Sequence, residues 1–362
     1  MKIKNIFFAA ILVLAGFSCS MEDDAIMNDV EKGIEEATEA YTVLDFGVAF
    51  NEMATKASTT VVPGEDRPAT GDENNDEKKI SEVSVFLLED GKVIGILIPQ
   101  NRNQVSSNSD GSITLKDLKF VTKYKTNRTL EAHVVINGNQ FLKNINIGDA
   151  QSALNQQISG CLSADQLIKY GSTRIVFGKD ITNSYSSPSV AENNPTTILV
   201  KVSHVAARLD FSQFDVTLKG FEGNPTVVFD EAKFVNLQQN GKIVEGDASV
   251  NVKDGAFLNR SNRIGTRWTD LGTAYGYANQ YRQDSEMNTA LYVKFTVDGR
   301  TFEKTYPINP AGITKEVDHN GIKGGYLYDI KVRWTITPDW GDSTIEFYTR
   351  DWVHNSIPEL VF

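Results

Sequence analysis

The side chains best suited to metal binding or catalysis are few and widely separated in this 362-residue sequence. The candidate ligands and nucleophiles are Cys19, His133, Cys161, His204, His319 and His354. No two histidines form an H-x-x-x-H pair and the cysteines form no cluster, so the spacing typical of zinc sites is missing. His133 falls in an apolar run, where a histidine more often completes a core than binds a ligand. We therefore expect no metal site and no cofactor.

Catalytic motifs are missing as well: the sequence has no nucleophile elbow, Walker loop or dinucleotide-binding glycine motif. Residues 318–321, Asp-His-Asn-Gly, match part of a calcium-binding loop without its remaining ligands. With 47 acidic and 36 basic residues, the formal net charge is −11, which disfavours a nucleic-acid partner. We expect no catalytic residue and no enzymatic activity.

Two residues carry the chemistry of protein processing, and the first is Cys19. Lys2 and Lys4 precede an apolar run over residues 6–16 that is too short to span a bilayer. The small Ser18 then precedes Cys19, as in the signals of bacterial lipoproteins, which predicts a signal peptide over residues 1–18 and lipidation at Cys19. The alternative is an ordinary signal peptide with an incidental cysteine. The acidic residues 22–24 resemble the export signal of surface lipoproteins in the Bacteroidetes.

The second is Lys56, which follows a strand pattern. Alternate apolar residues after Thr42 predict a half-buried strand, and they are Leu44, Phe46, Val48 and Phe50. Small and polar residues around Lys56 and Ala57 then predict an exposed loop that a trypsin-like protease can cut. Lys56 is the only basic residue between Gly33 and Val62. The alternative is a plain surface lysine.

Composition divides the rest of the chain. A cut at Lys56 would make residues 19–56 a propeptide with a removable strand. Residues 57–79 are rich in Pro, Gly and charge, which predicts a flexible linker. A second polar stretch places a boundary between domains 80–195 and 196–362. Short strands at regular spacing predict a mainly β chain of antiparallel sandwiches, and the spacing of apolar residues permits one helix within residues 149–170.

Several segments together resemble the fimbrillins of the Bacteroidales, the type V pilin family. They are the lipoprotein start, the Lys56–Ala57 junction, residues 202–211 (VSHVAARLDF), residues 325–334 (GYLYDIKVRW) and residues 345–352 (IEFYTRDW). Their order and spacing cover most of the chain. The resemblance implies two transthyretin-like β-sandwich domains in tandem, export as an outer-membrane lipoprotein, cleavage by a trypsin-like protease and polymerisation by strand exchange.

In that scheme the C-terminal tail of one subunit fills the groove that the removed strand leaves in another. The tail residues that would enter the groove or flank it are Ile357, Leu360 and Phe362. We favour the register in which Pro358, Leu360 and Phe362 point inward, because burying Glu359 without a partner is costly. The alternative is that the tail is the last core strand of its own domain.

The function implied is that of a fimbrial subunit, a component of the stalk, that serves adhesion or biofilm formation. Its expected partners are other fimbrial subunits, with a homopolymer favoured, the membrane lipid of the precursor, the protease and a surface receptor. Its expected location is first the outer membrane and then the extracellular fimbrium. The alternative function is that of a surface glycan-binding lipoprotein, for which Trp268 and Trp340, in loop-like sequence, are the candidate sugar platform.

Replacing Cys19 by Ala tests the proposed anchor. Because the thioether to the lipid needs the cysteine sulfur, the variant should lose incorporation of radioactive palmitate and should not reach the cell surface. Replacing Cys161 by Ala is the matched control and should leave labelling unchanged. Normal labelling of the Cys19 variant would contradict lipidation at this residue.

Overall fold

A computed structural model describes residues 39–50, 75–109, 111–244, 246, 248–255, 263–309, 320–351 and 359–360. Cys19, Lys56 and Ala57 lie outside these residues. Within the described ranges, no helix has the length and apolar character needed to cross a membrane.

Eight strands form the first sandwich, in the spatial order β4-β3-β7-β9-β10-β1-β6-β5. They are β1 (Tyr41–Phe50), β3 (Val83–Glu89), β4 (Lys92–Leu97), β5 (Val105–Ser107), β6 (Ile113–Lys123), β7 (Thr129–Ile136), β9 (Lys169–Val176) and β10 (Thr196–His204). Residues of both halves of this series meet in one apolar core, so the strands form two layers.

The strand β10 connects the two layers. It pairs with β9 only at Ser203 and His204, whereas residues 196–202 pair in parallel with β1. At the crossing, a Cβ atom on Gly171 would lie 1.8 Å from the carbonyl oxygen of Lys201, so only glycine allows this approach of the two backbones. The close crossing lets one strand belong to both layers.

The second sandwich consists of two four-stranded sheets, in the orders β17-β11-β20-β21 and β16-β12-β18-β19. Its strands are β11 (Ala207–Leu218), β12 (Val227–Val235), β16 (Arg263–Ile264), β17 (Arg267–Gly276), β18 (Ala290–Val297), β19 (Arg300–Pro307), β20 (Tyr326–Ile336) and β21 (Gly341–Asp351). Phe214 lies at the centre of its core, with ring centroids 5.2 Å from Trp268 and 5.3 Å from both Phe229 and Phe295. Such aromatic clusters add to the stability that comes from buried area.

Short elements complete the chain. The remaining strands are β2 (Lys79–Ile80), β8 (Gln157–Ser159), β13 (Leu237–Gln238), β14 (Asn240–Lys242), β15 (Val252–Lys253) and β22 (Glu359–Leu360). Within the described residues the helices are α1 (Asn139–Leu142), α2 (Pro188–Glu192) and four 3₁₀ turns, Asn75–Lys78, Arg102–Gln104, Gln151–Leu154 and Ala164–Gln166.

The predicted fold class, a mainly β chain with two tandem sandwiches, is confirmed. Most strand pairs are antiparallel, but each sandwich also contains a parallel pair, β1 with β10 and β11 with β20.

Two predicted boundaries need correction. Residues 196–204, assigned above to the second domain, form β10 and pair with β1 and β9 of the first sandwich. The polar stretch before them is a connection within that sandwich. The linker predicted over residues 57–79 lies outside the described part up to residue 74, but its last residues are ordered as a 3₁₀ turn and β2.

The helix permitted within residues 149–170 is wrong. The segment contains two 3₁₀ turns and β8, and Gly160 and Cys161 adopt φ angles of 74° and 54°, which end any right-handed helix. Ile158 and Leu167 are buried, as the apolar spacing suggested, but they pack from a strand and a loop.

The two sandwiches share an interface. The strand β8 of the first pairs with β14 of the second, and the Tyr277 hydroxyl donates to the Gly160 carbonyl over 2.7 Å. Behind these contacts lies an apolar cluster with members from both domains, including Phe86, Ile158 and Tyr277.

A buried carboxylate reinforces the interface. Glu77, fully buried, accepts hydrogen bonds from the Arg208 guanidinium at 3.0 Å and the Tyr275 hydroxyl at 2.5 Å, both in the second sandwich. Its backbone carbonyl accepts from Lys169 Nζ of the first sandwich at 2.8 Å. Burial and the charge of Glu77 raise the pKa of Tyr275, which keeps the hydroxyl protonated. The segment before β2 therefore joins both domains.

Replacing Glu77 by Gln tests this junction. The change removes the negative charge that pairs with buried Arg208, and we expect a loss of about 3 kcal/mol in the free energy of unfolding. Asp76→Asn is the matched control, because Asp76 lies in the same turn but is exposed, and its salt bridge with Lys79 lies at the surface. Equal denaturation midpoints for the two variants would contradict the junction.

Candidate strand-acceptor site

The strand β1 lies between two strands and is hydrogen-bonded along both edges. It pairs in parallel with β10 from Leu44–Thr196 to Phe50–Val202. It also pairs antiparallel with β6, from Tyr41–Lys123 to Val48–Ile113, with a register shift between Leu44 and Phe46. Its removal would leave a groove with two unpaired edges.

The inner face of β1 carries the predicted apolar residues. Leu44, Phe46 and Val48 are 0% exposed and Phe50 is 7% exposed, and all four belong to the core of the first sandwich. At about 1.5–3 kcal/mol for each buried side chain, their gross contribution is on the order of 6–12 kcal/mol. The strand predicted from alternation thus completes the core of this domain.

The chain connects β1 to the rest of the protein through residues 51–74, which lie outside the described residues and contain the predicted cleavage junction Lys56–Ala57. The next described residues form the turn Asn75–Lys78, where Glu77 binds the second sandwich. The buried role of Glu77 could not be predicted from the sequence, because Glu77 stands in a run of charged residues and its partner Arg208 is 131 positions away.

The C-terminal tail is described only at β22, where Glu359 and Leu360 pair in parallel with Lys79 and Ile80. In this structure β22 therefore lies beside the first domain. This pairing differs from the alternative given above, in which the tail is the last core strand of the second domain. Ile357, Pro358 and Phe362 lie outside the described residues.

The candidate sugar platform is not supported for one of its two residues. Trp268, expected in a loop, lies in β17, is 4% exposed and stacks on Phe214. Trp340 is 55% exposed in the turn between β20 and β21. The two rings therefore cannot form a common exposed surface.

The described histidines are buried. Nδ1 of His133 lies 2.7 Å from the Tyr170 hydroxyl, and burial lowers the pKa of His133, so its imidazole is neutral at pH 7. His204 is also buried, at the end of β10. Among the described residues, no group of His, Cys, Asp and Glu could hold a metal ion. His319 and His354 lie outside them.

Comparison with known proteins identifies structures with a similar fold. No family model and no curated protein matches the sequence. Among solved structures, a candidate cell adhesion protein from Parabacteroides distasonis matches with a TM-score of 0.59 at 17% identity, over 88% of this chain and 98% of that chain. A second such protein from that organism matches with a TM-score of 0.51 at 12% identity, over 87% of this chain and 100% of that one.

A fimbrilin from Porphyromonas gingivalis matches with a TM-score of 0.50 at 14% identity, over 88% of this chain and 100% of that chain. The chain thus has the fold of the fimbrillins, which confirms the resemblance drawn from its sequence. At these identities the likeness concerns the fold.

Replacing Phe46 by Ala tests whether β1 is part of the core in solution. Because Phe46 is fully buried, we expect a loss of about 3–5 kcal/mol in the free energy of unfolding by urea. Leu199→Ala on the neighbouring strand is the control, since Leu199 is 52% exposed and should cost less than about 0.5 kcal/mol. Similar losses for both variants would mean that β1 does not occupy the groove.

Proposed function

We propose that this chain is a non-catalytic structural subunit of surface fimbriae that polymerises by strand exchange after proteolysis. The observation that carries the proposal is the position of β1: it completes the first sandwich between β10 and β6, yet only residues 51–74 connect it to the following chain. A single cut at Lys56–Ala57 would turn this core strand into a separate peptide.

The emptied groove would bind a new strand strongly. Its edges would present unpaired backbone groups of β10 and β6, and its floor would expose apolar residues such as Ile113, Val200 and Val202. Sheet edges of this kind pair with an added strand, because main-chain hydrogen bonds supply affinity and alternate side-chain pockets supply specificity.

The native strand is an imperfect occupant of the groove. Thr42 Oγ1 and Asp45 Oδ1 are buried without a hydrogen-bond partner among the described residues. A buried polar atom without a partner costs about 1–3 kcal/mol, so a strand with apolar groups at these positions would fit better. This difference favours replacement of β1 once it has been cut.

The proposed donor is the C-terminal tail of another copy. As far as the tail is described, β22 pairs with β2 at two positions, Lys79 with Glu359 and Ile80 with Leu360. Releasing so short a pairing costs little compared with filling a groove that buries four large side chains. In the favoured register Pro358, Leu360 and Phe362 enter the groove and Glu359 faces outward.

The proposed path begins at the outer membrane, where Cys19 carries the lipid of the precursor, and ends in the extracellular fimbrium. A subunit with both a removable strand and a donor tail fits a position in the stalk, where each copy must accept one strand and give another. Contacts through the outer surfaces of the stalk would then serve adhesion and biofilm formation.

Limited trypsin digestion of the purified full chain tests the proposal. We expect a new N-terminus at Ala57 and ladders of polymers on SDS gels, because trypsin cuts after Lys56 and the freed groove takes a tail. Lys56→Ala should block both outcomes and Lys56→Arg should keep both. Protein sheared from cells should also begin at Ala57.

The donor tail is tested in the same assay. Leu360→Asp with Phe362→Asp should abolish the ladders by placing charge in the groove, whereas Glu359→Ala should leave them unchanged. Both variants should remain folded monomers before digestion. Ladders formed by the doubly charged variant, or by protein that retains residues 41–50, would overturn strand exchange through this tail.

A further inference from the structure

The segment between β9 and β10 passes over the outer face of β1. It begins at Ile181, whose side chain is buried in the core, and runs through Tyr185 and α2 (Pro188–Glu192) to the start of β10. We call residues 181–195 the strap. Through α2 the strap packs on both β1 and β6.

The strap is bonded to β1 near the beginning of the strand. Tyr41 and Tyr185 exchange two backbone hydrogen bonds, each 2.8 Å long. Val43, which faces away from the core by the alternation of β1, is 0% exposed. The outer face of β1 is therefore covered as well as the inner one, and the strand cannot move outward while the strap is in place.

The strap is held at few points. Most of its residues are exposed. Its two buried residues are Ile181 and Ala191, both at 0% exposure. At its far end, Lys119 Nζ on β6 donates a hydrogen bond to the backbone carbonyl of Glu192 over 2.8 Å. A segment with few buried contacts and many exposed residues opens locally at low free energy.

We propose that the strap retains β1, and that opening of the strap sets the rate at which the strand leaves its groove after cleavage. This inference rests on the proposed function and adds its control step: a cut subunit keeps its strand until the strap lifts. Lys119 and Ala191 are the positioning residues that hold the strap down. A cut alone would then leave the apolar groove covered, which protects it from indiscriminate binding.

The experiment follows exchange of the strand itself and does not depend on the donor tail. The full chain is cut with trypsin, and an excess of isotopically heavy synthetic peptide with the sequence of residues 39–56 is added. Native mass spectrometry then measures how fast the heavy peptide replaces the cut strand. Hydrogen exchange at the Tyr41 and Tyr185 amides reports opening of the strap in the uncut protein.

Lys119→Ala should speed replacement about fivefold to tenfold, because it removes one hydrogen bond that holds the strap. Ala191→Gln, which places a larger side chain at a fully buried site, should act in the same direction. Lys116→Ala is the matched control, an exposed lysine on the same strand, and should leave the rate unchanged. Thermal unfolding of each uncut variant confirms that it is folded.

If heavy peptide enters all variants at the wild-type rate, the proposed role of the strap is wrong, while strand exchange is unaffected. Heavy peptide that enters none of them, in spite of complete cleavage, would overturn both. Faster amide exchange at Tyr41 and Tyr185 in Lys119→Ala, with faster replacement, is the result expected.

Discussion

The first sandwich depends on the burial of β1, which is separated in sequence from the other strands of this domain by the polar residues 51–74. Leu44, Phe46 and Val48 are fully buried between layers that otherwise consist of residues after position 75. Hydrogen bonds to β10 and β6 fix the strand along both edges. The pairing and burial of β1 described here involve residues 41–50 and not the connection 51–74, so a cut in that connection leaves every residue of β1 intact.

The two domains are also held together at several places. The two sandwiches are joined by β8 with β14, by an apolar cluster and by the buried Glu77, which contacts both domains. Although burial alone would lower the pKa of Arg208, the carboxylates of Asp210 and Glu77 raise it, so the charge at the interface is retained. β22 pairs with β2, and β2 begins two residues after Glu77. The end of the linker, the domain interface and the tail thus meet in one place.

Features that depend on local pattern could be predicted from the sequence, and those that depend on distant partners could not. The alternation of Leu44 to Phe50 predicted β1, and the regular spacing of short strands predicted a mainly β chain. β17 was missed because Asp270 and Gly272 take positive φ angles of 52° and 149° and interrupt its alternation, which also led Trp268 to be assigned to a loop. The buried role of Glu77 and the strap over β1 depend on contacts between segments far apart in sequence. Periodicity within one segment cannot predict such contacts.

The central claim is that one copy fills the groove of another. Equal amounts of ¹⁵N-labelled and unlabelled subunits can be cut, polymerised together and cross-linked, and the cross-links between the C-terminal tail and strands β6 or β10 can then be identified by mass spectrometry. We expect about half of these cross-links to join a labelled chain to an unlabelled one, and residues 41–50 to be absent from the polymer. Cross-links that always join segments of one isotopic kind, or polymers that retain β1 between β10 and β6, would contradict it.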